Sequence, residues 1–214
     1  MEYSDLIIFI MELLGTVAFA SSGAMLGIRK KMDIFGVNVL GVTTAVGGGM
    51  IRDVILGRNP PAMFQNSVYA VTAIATSTVL FLLLYVREQL FSGNIAVWYD
   101  RVMLWCDTIG LGVFTVVGCD AAVSAGYFQN RFLTVFVGVL TGVGGGMLRD
   151  MMSQEMPYIF VKHVYAVASL AGALVYVALR QQVTRIGAMM MGAAVVIVIR
   201  FLAAHYRWNL PRVG

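Results

Sequence analysis

The sequence predicts an all-α integral membrane protein: seven transmembrane helices, arranged as two inverted three-helix repeats followed by a seventh helix. Three observations lead there. Of 214 residues, 59% are apolar and 12% charged, about half the charged share of a soluble domain. The apolar residues gather into seven runs, each long enough to cross about 30 Å of hydrocarbon as a helix. The motif Gly-Gly-Gly-Met-Ile/Leu-Arg-Asp occurs twice, at 47–53 and 144–150.

The runs cover 6–28, 34–56, 68–86, 102–125, 132–152, 161–179 and 186–204. Glu2 and Asp5 precede the first run. A cleaved leader wants a basic start and a shorter apolar stretch, so this run is expected to stay as a helix. Polar or turn-forming breaks separate the rest: Arg29-Lys30-Lys31, Asn59-Pro60-Pro61, Ser92-Gly93-Asn94, Gln129-Asn130-Arg131, Pro157 and Arg180-Gln181-Gln182. Trp98, Tyr99, Trp105, Tyr206 and Trp208 sit near run ends, where interfacial aromatics belong. Two-residue alternation is absent and the runs are too long for barrel strands. Cys106 and Cys119, 13 residues apart inside apolar stretches, have neither metal nor disulfide-framework spacing and read as membrane-core residues.

Lys and Arg placement sets the orientation. With the N-terminus outside, Arg29, Lys30, Lys31, Arg87, Arg101, Lys162, Arg207 and Arg212 fall inside, and Arg58, Arg131, Arg180 and Arg185 outside. Positive charge favours the cytoplasmic side, so an external N-terminus and a cytoplasmic C-terminus are expected. Arg52, Arg149 and Arg200 remain within or at the ends of spans. A net charge of +4 on so apolar a chain is therefore topological. Soluble catalysis, nucleic-acid binding and fibrous roles are disfavoured.

The repeat extends beyond the motif. Gly41 to Asp53 matches Gly138 to Asp150 at an offset of 97; Pro61, Phe64 and Tyr69-Ala70-Val71 match Pro157, Phe160 and Tyr165-Ala166-Val167 at 96; Glu12, Gly15, Phe19 and Gly23 match Asp107, Gly110, Phe114 and Gly118 at 95. The expected units are 1–90, 91–182 and a final helix with tail at 183–214. A three-helix unit delivers the chain to the opposite side of the bilayer, so the second copy enters inverted.

Within the motif, Gly47, Gly48 and Gly49, like Gly144, Gly145 and Gly146, each cost about 1 kcal/mol relative to Ala in a helix. Such runs at mid-span predict discontinuous helices, which membranes tolerate where backbone is buried in protein or lines a wet cavity. The alternative is close packing through small residues, since Gly41, Ala45 and Gly49, and Gly138, Gly142 and Gly146, fit a small-xxx-small spacing. A phosphate loop is disfavoured: Met50 and Met147 follow the triplets in place of Lys, and Met147 also breaks the dinucleotide pattern from Gly142.

Arg52-Asp53 and Arg149-Asp150 are charges at membrane depth, which are normally paired or wet. Adjacent helical residues point about 100° apart. The inverted repeat therefore predicts cross-pairs, Arg52 with Asp150 and Arg149 with Asp53. Glu12, Asp107 and Asp120 are further acids at depth, and Ser21, Ser22, Thr43, Thr44, Thr115 and Thr141 supply hydroxyls. Acids and hydroxyls suit cations, although Ser and Thr in membrane helices often bond their own backbone. His163 and His205 lie near span ends. No metal cluster or Ser/His/Asp constellation accompanies them, and the 14 methionines read as core filler.

The paired Gly-Gly-Gly-Met-Ile/Leu-Arg-Asp motifs, each followed by a proline turn, resemble the prokaryotic members of the trimeric intracellular cation (TRIC) channel family, also described as a bacterial glycine-transporter-like membrane domain. The resemblance runs from Glu12 to the last helix. It implies seven helices in a 3+3+1 order, a homotrimer and one pore per subunit shaped by glycine-kinked second and fifth helices. It implies passage of potassium, and of sodium, in a bacterial inner membrane. Membrane lipid is an expected partner; a cofactor, nucleic acid or soluble partner is not.

Two functions follow. One is a monovalent-cation channel using carbonyls and hydroxyls at the two glycine runs. The other is a secondary transporter of a small zwitterion such as glycine, with half-helix N-termini holding its carboxylate. An enzyme lacks the residues it would need.

Overall fold

The computed structural model describes residues 3–90, 95–161 and 164–208, with side chains for all of these but 87–100 and 161. Glu2, the Ser92-Gly93-Asn94 break, Lys162, His163 and Arg212 lie outside the described residues, as do the side chains of Arg87, Trp98 and Tyr99.

The described chain is helical: α1 Tyr3–Arg29, α2 Ile34–Ile55, α3 Ala62–Gln65, α4 Val68–Leu90, α5 Ile95–Ala122, α6 Arg131–Met152, α7 Tyr158–Val161, α8 Tyr165–Leu179 and α9 Arg185–His205. The short helices α3 and α7, one after each proline turn, were not legible as elements. A π-helical turn, Val123–Tyr127, ends α5, with Gly126 at φ 91°. Among the described residues, six helices are long and apolar enough to cross a membrane: α1, α2, α4, α5, α6 and α9. The run at 161–179 yields a shorter helix, α8, of 15 residues, about 22 Å at 1.5 Å per residue.

Local chemistry explains where the helices start. Asp33 accepts from Gly36 N at 2.7 Å and Asn130 from Leu133 N at 3.0 Å. These N-caps are themselves 97 apart, so the repeat includes the start signal as well as the body of the helix. Thr184 caps α9 through Gly187 N at 3.2 Å.

The glycine runs do not break their helices. Helical backbone is continuous through Ile34–Ile55 and Arg131–Met152. The discontinuity expected from glycine's poor propensity is overridden by packing, because the absent side chains let α2 and α6 meet backbone to backbone. A Cβ on Gly48 would collide with the Thr141 carbonyl, and one on Gly145 with the Thr44 carbonyl; one on Gly144 would stand 3.2 Å from Gly48 Cα. Close Cα–H···O contacts of this kind recur where helices cross. Thr44 faces Gly145 while Gly48 faces Thr141, so α2 and α6 run antiparallel across the contact. Phe19 lies over Gly110 while Gly15 meets Phe114, so α1 and α5 are antiparallel as well.

Side-chain links mark the two ends of the bundle. Lys30 and Glu155, after α1 and α6, pair at 3.1 Å. At the other end Arg58, after α2, donates to the Ala121 carbonyl at 3.0 Å, and Arg185 approaches Asp5 at 3.4 Å. The outside is apolar. Phe35, Val54, Leu83, Phe132 and Phe160 are all more than 60% exposed, the inverse of a soluble surface. Buried polar and charged residues lie within: Arg52, Asp53, Asp107, Asp120, Arg149, Asp150 and Arg200.

Candidate functional site

Each half builds the same group from three of its helices. In the first, α1 supplies Glu12, the end of α2 supplies Arg52 and Asp53, and α4 supplies Tyr69. In the second, α5 supplies Asp107, the end of α6 supplies Arg149 and Asp150, and α8 supplies Tyr165.

The arginine–aspartate pairs are made between neighbours. Arg52 Nε lies 2.8 Å from Asp53 Oδ1, and Arg149 Nε and Nη2 lie 2.8 Å from Asp150 Oδ1. This corrects the expected cross-pairs Arg52–Asp150 and Arg149–Asp53. The 100° separation applies to Cβ directions, and a guanidinium at the end of a long stem swings across it. Both aspartates are then fully used. Asp53 Oδ2 accepts from Ala62 N and Asp150 Oδ2 from Tyr158 N, each at 2.9 Å. Each thus holds the first residue of the short helix after its proline turn. Arg149 instead crosses to α5 and α1, reaching Asp107 at 2.6 Å and donating to Ser22.

The acids differ between halves. Tyr69 donates to Glu12 Oε2. Asp107, shorter by one methylene, binds Arg149 through Oδ1; its Oδ2 and the Tyr165 hydroxyl are buried without hydrogen bonds. The second group is sealed, with Asp107, Arg149 and Asp150 at 0% exposure and the Arg149 guanidinium 5.1 Å from the Tyr158 ring. Beside the first group is a cavity of about 50 Å³, lined among others by Glu12, Gly49, Arg52, Asp53 and Tyr69. That is enough space to hold water.

Three of the six predicted hydroxyls turn inward to their own helices. Thr44 donates to Leu40 O and Thr141 to Val137 O, both at 2.6 Å, and Thr115 to Leu111 O at 2.7 Å. Thr43 is half-buried beside Gly47. Gly47 packs under Leu148, Gly49 meets only the Arg52 guanidinium at 3.7 Å, and Gly146 lies beneath the Tyr165 hydroxyl. Asp120 belongs to a separate cluster at the end of α5. Arg185 clasps it at 2.6 and 2.9 Å, and Tyr176 donates to it at 2.9 Å. Cys106 and Cys119 are unpaired thiols. Among the described residues no group of three metal-ligating side chains forms.

Sequence reasoning missed the two tyrosines and Arg200 as members of the groups. Tyr69 and Tyr165 stood in the repeat match, and Arg200 was a charge inside an apolar run. Both were signals of a partner at depth.

The glycine transporter family matches the chain twice, over residues 9–85 and 104–181. The chain belongs to the glycine transporter family, which is TRIC-related. The double match falls on the two halves that build the two groups. Relatives in this family include the UPF0126 inner membrane protein YadS of Escherichia coli, 36% identical over 208 residues and 96% of each chain, and a UPF0126 membrane protein of Deinococcus radiodurans, 36% identical over 94% of this chain and 89% of the relative. Among solved structures, a TRIC cation channel is 34% identical with a TM-score of 0.81, covering 100% of this chain and 98% of that one. The TRIC trimeric intracellular cation channel orthologue from Rhodobacter sphaeroides is 30% identical with a TM-score of 0.84, covering 94% and 99%. The family and fold are those of membrane proteins of the TRIC type, not of enzymes.

Proposed function

We propose that this chain is a homotrimeric channel for monovalent cations, chiefly potassium and also sodium, with one pore in each subunit of a bacterial inner membrane. The path runs along the α2–α6 crossing, from the cavity beside Glu12 towards the far end of the bundle. The observation that carries this reading is the pair of acid–arginine–aspartate–tyrosine groups flanking an antiparallel glycine crossing, in a chain similar to TRIC cation channels. Residues 1–90 and 91–182 are inverted copies and 183–214 a final helix with tail. A seventh pass at α8 puts the N-terminus outside and the C-terminus in the cytoplasm. Glu12 and Asp53 face the cavity and supply the negative potential that prefers cations. Gly47, Gly48, Gly49, Gly144, Gly145 and Gly146 form the constriction, where small changes in helix separation open or close the path.

The family's name favours a second reading, carriage of a small zwitterion such as glycine. Unbroken α2 and α6 leave no half-helix N-terminus to hold a carboxylate, which weighs against it. Purified protein in a planar bilayer under a KCl gradient decides. Unitary currents reversing near the potassium potential support the channel. Saturable, gradient-driven glycine uptake into proteoliposomes without unitary currents overturns it.

A further inference from the structure

The helix outside the repeats adds something the symmetry does not supply. Arg200 of α9 is 1% exposed. Its Nη2 lies 4.0 Å from Asp107 Oδ2, and its guanidinium carbon stands 4.8 Å from the Tyr165 ring centroid. α9 has no copy in the repeat, so nothing equivalent reaches Glu12 by that route.

The consequence is a difference in charge between two otherwise matched groups. Around the first cavity Glu12 and Asp53 face the single cation Arg52, leaving one negative charge in excess beside space for water. In the second, Asp107 and Asp150 face Arg149 and Arg200, which balances. Glu12 meets its tyrosine, whereas its counterpart Asp107 leaves Oδ2 without that bond and 4.0 Å from Arg200 Nη2. A balanced ion cluster with a guanidinium stacked on an aromatic face stays dry. An unbalanced carboxylate draws in water, a cation or a proton.

We propose that Arg200 is a positioning residue that locks the second half, supplying the counter-charge that keeps the Asp107 group neutral and sealed, so that the conduction path opens only when α9 withdraws it. This rests on the channel reading, and it assigns α9 the role of gate element rather than packing helix. Two halves with equal chemistry would form two equal vestibules; the odd helix makes one of them conditional.

The test is potassium flux in proteoliposomes, with backbone hydrogen–deuterium exchange of residues 103–111 measured on the same proteins. Arg200→Gln gives the second half the same charge excess as the first. Flux is expected to rise about five- to tenfold, the low end of ordinary coupling between sites, and exchange at 103–111 to quicken. Asp107→Asn with Arg200 retained reverses the imbalance and is expected to lower flux. The double variant Asp107→Asn/Arg200→Gln restores neutrality and is expected to return both readouts towards the starting protein. Unchanged flux and exchange in an assembled Arg200→Gln protein overturn the lock, as does a rise that the double variant fails to reverse. Should Arg200→Gln not assemble, the Asp107→Asn and double variants still decide, since equal flux in the two overturns it. A wild-type protein without any potassium flux sinks the channel reading alone, and the exchange comparison then judges the lock by itself.

Discussion

Asp53 holds the start of the helix that follows its own, its Oδ2 accepting the Ala62 backbone N–H at 2.9 Å. The other oxygen takes Arg52 at 2.8 Å. One carboxylate therefore neutralises a neighbouring cation and folds the proline turn back over the helix end. Asp150 repeats this with Tyr158 and Arg149, which explains why Arg and Asp sit side by side in both motifs.

The two aspartates are expected to differ in weight. Asp150→Asn leaves a fully buried Arg149 with one carboxylate fewer and should cost about 3–5 kcal/mol, the usual penalty for breaking a buried pair. Asp53→Asn removes the partner of an arginine beside a cavity that admits water and should cost less. Thermal unfolding of the purified protein in detergent gives the ranking; equal losses would contradict it.

The six glycines of the two triplets should also separate. Gly48→Ala and Gly145→Ala drive a methyl into the carbonyls of Thr141 and Thr44, costing about 1–3 kcal/mol by overpacking. Gly49 has nothing closer than an Arg52 nitrogen at 3.7 Å. Gly49→Ala should leave melting within about 0.5 kcal/mol of the parent, as substitutions away from packed features do, while narrowing the cavity and reducing unitary conductance.

Acid placement predicts unequal effects on selectivity. Glu12→Gln removes the excess negative charge beside the cavity and should shift the reversal potential in a KCl gradient towards zero. Tyr69→Phe frees Glu12 from a charge-assisted hydrogen bond, normally about 1.5–3 kcal/mol, and should lower stability while preserving cation preference. A Tyr69→Phe channel that lost its preference would reassign selectivity from the carboxylate to the phenol.

The Asp120 cluster is structural on this view. Arg185→Ala strands Asp120, 3% exposed, with Tyr176 alone. The loss should be about 1–2 kcal/mol, below the fully buried case because Arg185 is partly open to solvent. Melting should show it, with ion selectivity unmoved in bilayer recordings.

How much of this was readable in the residues varied with the physics involved. Helix bodies followed from apolar length, and α2 and α6 begin within one residue of their expected starts because Asp33 and Asn130 mark them. The glycine triplets misled, since propensity is local and the crossing that rescues it joins residues about 100 apart in sequence. The Arg–Asp partners misled for the opposite reason: the pairing is local, and Cβ geometry understates the reach of an arginine. Arg200 carried its charge openly, but only folding puts it against Asp107.

The recess beside Glu12 has a consequence for the proposed conduction. On the proposed channel reading, an alkali ion entering here meets a small recess lined by the carboxylates of Glu12 and Asp53. Carboxylate oxygen would then stand in for part of the ion's water, and the larger, more loosely hydrated ion would surrender that water with less effort. If the chain conducts as proposed, any preference between potassium and sodium would begin at this doorway, before the glycine crossing is reached.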